Sequence, residues 1–255
     1  MLKRWRYVAV FGDALMACAA RVHVGPATQS FWALYLREPG ELRERTHTLR
    51  GRGRVALPAG GLRVADTGVL MALELREAAP VAARCRNDGG EVWTRKQAGV
   101  QASGTLTLDG GAARTVSALA VIDDTAGYHP RHTEWWWSAG VGRAPAGNPL
   151  AWNLVSGIND PPSGSERAVW VGSEAYECGP VAFSADLSRI DGAGGAQLRF
   201  SAVAQRSHKD NLLLVSSEYR APFGTFSGTL PGAAGGAPLE LAHGLGVVEH
   251  HRARW

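Results

Sequence analysis

Turn-forming residues interrupt this chain so often that short strands are the only regular element with room to form along most of it. Gly25-Pro26, Pro39-Gly40, Ala59-Gly60-Gly61, Asp88-Gly89-Gly90 and Asp109-Gly110-Gly111 each supply the permissive backbone a hairpin requires. Between them lie short runs with almost no helical periodicity, which predicts an all-β chain with little helix. Strands are expected at 5–10, 14–24, 29–36, 41–49, 69–75, 91–96, 101–108 and 114–121, then at 132–141, 150–158, 167–171, 181–184, 197–204, 212–219, 222–230 and 239–250. Ile122-Asp123-Asp124 reads as a strand end, so two units are expected, 1–125 and 126–255. A chain of 255 residues can bury a substantial core either as two such units or as one large β domain.

Composition narrows the function classes. The net charge of +4 gathers in Lys3-Arg4-Trp5-Arg6, in the segment 43–54 and in His250-His251-Arg252-Ala253-Arg254. Without a continuous basic stripe or a recognisable motif, no nucleic-acid partner is expected. Cys18, Cys85 and Cys178 are odd in number and lack CxxC spacing, so they read as buried thiols in a reducing compartment. The apolar run after Lys3-Arg4 imitates a signal peptide, but Gly12-Asp13 breaks it, and a cytoplasmic protein is expected. No apolar run is long enough for a transmembrane helix. The oligomeric state is left open.

The most concentrated chemistry lies in Gly127-Tyr128-His129-Pro130-Arg131-His132-Thr133-Glu134-Trp135-Trp136-Trp137. As a strand, this run points Glu134 and Trp136 one way and Trp135 and Trp137 the other, so one face is lined with aromatic surface. His129 and His132 could share a metal with Glu134 or with Glu249, His250 and His251, but the HExxH helix that usually carries such a set is missing. Neither a metal nor another cofactor is expected. A Gly-x-Ser-x-Gly elbow is also lacking.

Carboxylates beside aromatics are the better lead. Asp160, in Gly157-Ile158-Asn159-Asp160-Pro161, follows a strand that begins near Trp152-Asn153. A carboxyl there, beside an apolar cavity, could have its pKa raised and serve as a proton donor; equally, Asn-Asp-Pro is a common turn in which Asp160 accepts backbone hydrogen bonds. Glu134 joins Asp160 and His132 as a candidate catalytic residue. Glu134, Glu166 and Glu249 could each instead be a solvated outward residue, and Trp152, Trp170 and Tyr219 could fill the core.

Several motifs occur in order along the chain: Lys3-Arg4-Trp5, Phe31-Trp32, Thr94-Arg95-Lys96, Asp123-Asp124, Gly127-Tyr128-His129, Thr133-Glu134-Trp135, Trp152-Asn153-Leu154-Val155, the segment 220–226, Glu249-His250 and Ala253-Arg254-Trp255. Together they resemble the bacterial domain-of-unknown-function 2804 family. That family is similar, more distantly, to a lipocalin-like group containing carotenoid hydratases of the hydroxyneurosporene synthase type, related fungal cyclases and AttH-like proteins. The resemblance implies tandem calycin-type antiparallel β-barrels packed together, with a ligand cavity at or near their junction.

In the hydratases a Tyr-His segment, a His-x-Trp unit and a later aspartate are associated with catalysis. The nearest matches are Tyr128-His129, His132 with Trp135 three residues on instead of two, and Asp160. A small, largely apolar ligand is therefore expected, held by Trp135, Trp137, Tyr128, His129, Trp152, Asn153 and Asn159. Any reaction would be cofactor-free hydration, isomerisation or cyclisation through Asp160, His132 and Glu134. A non-catalytic carrier or sensor, and a structural partner-binding β protein, are the alternatives.

Overall fold

In the computed structural model, residues 2–128 form Leu2–Phe11 (β1), Leu15–Val24 (β2), Ala27–Leu36 (β3), Glu41–His47 (β4), Val55–Ala56 (β5), Gly61–Asp66 (β6), Val69–Arg76 (β7), Val81–Asn87 (β8), Gly90–Leu108 (β9) and Arg114–Tyr128 (β10). Residues 132–254 form His132–Arg143 (β11), Pro149–Ser156 (β12), Ala168–Val171 (β13), Glu174–Glu177 (β14), Val181–Phe183 (β15), Arg189–Gly192 (β16), Gln197–Leu212 (β17), Val215–Leu230 (β18) and Leu239–Arg254 (β19). The structure describes residues 1–48, 53–212, 215–233 and 236–254. The end of the strand expected at 41–49, part of the basic segment 43–54, residues 213–214 of the strand expected at 212–219, and Trp255 lie outside these. No helix among the described residues is long and apolar enough to cross a membrane.

Each half is one antiparallel sheet. The first runs β4-β3-β2-β1-β10-β9-β7-β6-β5, with β8 also paired to β9, and the second runs β14-β13-β12-β11-β19-β18-β17-β16-β15. Both curl: β5 comes against β2 and β3, and β15 against β12. Strand alternation decides what each face meets. In β1, Val8 and Val10 point into the first sheet's own core with Trp32, Leu34 and Ile122, while Tyr7, Ala9 and Phe11 point out of it. In β11, Trp136 packs with the second sheet's core around Trp152, while Trp135, Trp137, Ala139 and Val141 point the opposite way. The two outward faces meet, so three apolar layers are stacked and the central strands are buried on both sides.

Asp123 and Asp124 do not end a strand. β10 continues to Tyr128 because both carboxylates find partners across its rungs: Arg6 Nη1 donates to both Asp124 oxygens at 2.7 and 2.9 Å, and Trp5 Nε1 donates to Asp123 at 3.1 Å. The segments expected at 91–96 and 101–108 are one strand with an irregularity opposite Ala120/Val121. Those at 212–219 and 222–230 also merge. Pro222 is accommodated because the β18–β19 register passes from Arg220↔His250 to Phe223↔Val247, so no partner on β19 needs its missing N–H.

Close packing around Trp152 rests on Gly140, which pairs with Trp152 on β12 and with Gly246 on β19. A Cβ at Gly140 would lie 2.3 Å from Trp152 Cζ2 and 2.6 Å from the Leu245 carbonyl oxygen. Gly140→Ala is expected to destabilise by ~1–3 kcal/mol, the usual cost of overpacking. An unchanged denaturation midpoint would mean that the indole has room to shift.

Candidate active site at the junction of the two sheets

Register brings chemically distinct residues onto the junction. In the first sheet Tyr7 pairs with Asp123, and Asp123 with Lys96, so three side chains stand abreast on the same face. In the second sheet Trp135 pairs with His251, His251 with Tyr219, and Trp137 with Glu249. The loop from 157 to 167 adds Asn159, Glu166 and Arg167. Gly157 opens it at φ 92°, where an added Cβ would lie 2.5 Å from the Glu134 carbonyl, so this loop folds tightly against β11.

Two acidic centres result. In one, Lys96 Nζ lies 2.7 Å from Asp123 Oδ1 and 3.2 Å from Glu166 Oε1, an ion-paired triad in which Lys96 and Glu166 are almost wholly buried. Thr125 and Trp5 donate to Asp123, and Asn159 Nδ2 donates to Glu166 at 3.1 Å. Burial opposes the Lys96 charge, but Asp123 and Glu166 more than offset it, and its pKa lies above the ordinary lysine value. Burial, only partly countered by Lys96, pushes the Glu166 carboxyl up. Because Lys96 belongs to the first sheet and Glu166 to the second half, the triad crosses the junction.

The other centre is Glu249. Burial raises its carboxyl to about 7 against the opposing hydrogen bond from Trp135 Nε1, which donates at 2.9 Å. His251 lies beside it, its Nδ1 3.8 Å from Glu249 Oε1 and its Nε2 2.8 Å from Ser217 Oγ. Burial, and then His250, push His251 down to about 3, so it is neutral near pH 7. Tyr7 packs edge-on to Trp137 at 5.4 Å, Phe31 lies 6.0 Å from Tyr219, and Trp135 lies 4.1 Å from His251. Glu249, though ringed by protein, keeps 18% of its side chain open. Tyr7 and His251 likewise lie deep without being fully covered.

Of the residues expected from sequence, Trp135, Trp137, Asn153 and Asn159 gather here. Trp137 Nε1 donates to Asn153 Oδ1 at 2.8 Å, and Asn153 Nδ2 donates to the Glu166 carbonyl at 2.8 Å. The others lie elsewhere. Asp160 accepts from the Gly157 amide at 2.8 Å, the turn role weighed for it. Trp152 is fully buried in the second sheet's own core, donating to Ser138 Oγ at 3.1 Å. Tyr128 is exposed at the end of β10. His129 is buried against Trp5 at 5.2 Å, and burial lowers its pKa to about 4, with Lys3 adding to the effect.

Glu134 accepts from His250 at 2.8 Å and from Arg252 at 2.7 Å, bonds that hold its carboxyl below the ordinary value. With His132, Arg252, Arg254, Ser216, Glu218 and Lys209 it lines a charged groove of about 600 Å³. His132, Glu134 and His250 thus meet at the groove, His129 lies against Trp5, and Glu249 and His251 lie at the junction. Sequence reasoning gave no site role to Lys96, Asp123, Tyr7 or Arg206, and left Glu166 and Glu249 as residues that could be solvated. The available signal was Thr94-Arg95-Lys96 within a strand pattern, where Val92, Thr94 and Lys96 share one face and all are buried.

Residues 67–255 match the family model described as Domain of unknown function (DUF2804). Comparison with curated protein sequences gives no match. Among solved structures the chain is similar to a protein assigned as AttH from Nitrosomonas europaea (TM-score 0.63, 14% identity, 97% of this chain and 91% of that one). It is similar to kievitone hydratase from Nectria haematococca (TM-score 0.63, 14% identity, 97% and 88%). It is also similar to CghA in complex with Sch210972 (TM-score 0.54, 7% identity, 99% and 88%). These likenesses establish the fold as tandem and lipocalin-like, as the motifs implied.

Proposed function

The chain belongs to the DUF2804 family, and from that premise we propose that it binds a small, largely apolar molecule in an aromatic hollow between its sheets and acts on it by cofactor-free proton transfer from Glu249. The observation that carries this reading is the Glu249 carboxyl, held near pKa 7 in an unsealed aromatic surround. At neutral pH such a carboxyl is protonated about half the time, which suits a general acid. Protonation of a carbon–carbon double bond would leave a carbocation, which the faces of Trp135 and Trp137 would stabilise. Water adding to the cation would complete a hydration and return a proton to Glu249. Loss of a different proton to Glu249 would give isomerisation, and capture by a second double bond, followed by loss of a proton to Glu249, would give cyclisation. The acid role expected of Asp160 passes in this reading to Glu249, while Asn153 and Asn159 brace the wall. Three buried, unpaired thiols favour a reducing compartment such as the cytoplasm.

Native mass spectrometry of the purified protein is expected to reveal a bound small molecule, whose conversion can then be followed. Glu249→Gln keeps an acceptor for Trp135 Nε1, so it should retain the ligand and lose at least 100-fold in turnover, the usual contribution of a general acid. Full turnover by the folded variant would remove Glu249 from the chemistry. A ligand that the native protein holds but does not convert would make this a carrier.

A further inference from the structure

Among the described residues two arginines are buried, and only one of them is satisfied. Arg167 is 1% exposed, and its three guanidinium nitrogens all donate to backbone carbonyls: Nε to Cys178 at 3.3 Å, Nη1 to Asp160 at 3.0 Å and Nη2 to Pro161 at 2.7 Å. Arg206 is 2% exposed, yet among the described residues only its Nη2 has an acceptor, Thr46 Oγ1 at 2.5 Å. Its Nε lies 3.6 Å from Glu44 Oε2, close enough for an ion pair but not for a hydrogen bond, and Nη1 has no acceptor. A buried guanidinium with open donors is strongly unfavourable unless something completes it. Arg167 is what a structural arginine looks like in this fold.

The open donors belong to the junction. Arg206 pairs in register with Ala221, which packs on the junction layer, and its guanidinium carbon lies 4.2 Å from the Phe31 ring and 4.8 Å from the Tyr219 ring. One ring comes from each sheet. The charge of Arg206 is felt at Glu249, Tyr7 and Cys18, so all four belong to the same region of the junction. The Tyr219 hydroxyl is likewise buried without a hydrogen-bond partner among the described residues.

We propose that Arg206, with the Tyr219 hydroxyl beside it, receives the carboxylate of an apolar carboxylic acid whose body lies along Tyr7, Trp135 and Trp137 toward Glu249. This rests on the junction hollow being a ligand site and adds the class of ligand. A carboxylate fits better than a neutral carbonyl because it supplies the full negative charge that Glu44 provides only at a distance. It fits better than a phosphate because Glu44 and Glu249 both stand near and would oppose a second negative charge.

The test compares decanoate with 1-decanol, equal in chain length and differing in the head group, by isothermal titration at pH 7.5. The native protein is expected to bind decanoate at least tenfold more tightly than decanol. Arg206→Gln should abolish that preference while decanol affinity stays within twofold. Arg206→Lys, which keeps the charge and the stem, should retain part of it; thermal melts establish that each variant is folded. Equal affinity of the native protein for the two probes overturns the assignment of Arg206 and leaves the apolar hollow standing. Binding of neither probe overturns both, and an undiminished preference in folded Arg206→Gln overturns the role of Arg206 alone.

Discussion

Lys96→Met is expected to lower the unfolding free energy by ~3–5 kcal/mol, the usual cost of removing one partner from a buried ion pair. The substitution strands the Asp123 and Glu166 carboxylates in a site where Lys96 is 3% exposed. Thr125 and Trp5 still donate to Asp123, and Asn159 to Glu166, but neither charge is neutralised. For a chain of this size the loss corresponds to a fall in Tm on the order of 6–20 °C. Adding Glu166→Gln to the variant should recover at least ~1 kcal/mol, because one uncompensated charge then remains instead of two. Melting curves of the single and double variants decide the matter. A single variant that melts with the native protein would show that water reaches the triad and solvates its carboxylates.

Acidification should separate His251→Gln and Glu249→Gln in opposite directions. His251 and His129 have folded pKa values depressed to about 3 and about 4 from the ordinary 6.5, so the unfolded chain takes up their protons first and stability falls as pH drops below 6.5. Glu249 works the other way. Its folded pKa of about 7 lies above the ordinary 4.5, so the folded state takes up its proton first and stability rises as pH falls from 7 toward 4.5. Between pH 7 and pH 5 the Glu249 gain and the His251 loss are each ~2 kcal/mol and largely cancel. Removing His251 should therefore make the protein ~2 kcal/mol less acid-sensitive over that range, and removing the Glu249 carboxyl ~2 kcal/mol more so. Urea titrations at the two pH values measure both. Parallel pH dependence in the two variants would mean that neither group is held as buried as it stands here.

Much of the architecture was legible because its signals are local. Turn residues located most hairpins, and alternation in the Trp run correctly sent Trp135 and Trp137 to one face and Trp136 to the other. The strands at Gly61–Asp66, Val81–Asn87, Glu174–Glu177 and Arg189–Gly192 were not expected, being short or interrupted by charge. Asp123-Asp124 resembled a stop because the partners that keep it in a strand, Arg6 and Lys96, come from other strands. The site was less legible for the same reason. Glu249, His250, His251 and Arg252 are consecutive, and nothing local tells that Glu249 and His251 face a second sheet while His250 and Arg252 pair with Glu134. That distinction depends on register with residues more than a hundred positions away and on which face another sheet covers.

The apolar layer between the sheets also bears on how the protein is made. The outward face of the first sheet, with Tyr7, Ala9, Phe11, Met16 and Cys18, has its cover only in the second half, including Leu245 and Val247 of the last strand. At typical synthesis rates the ribosome needs roughly 6–25 s to pass from the end of β10 to the end of β19. For that interval a nascent first sheet would hold a greasy surface toward water. A fragment ending at Tyr128 would hold it there permanently, so this protein should depend on chaperone capture during translation and should yield inclusion bodies when its halves are expressed apart.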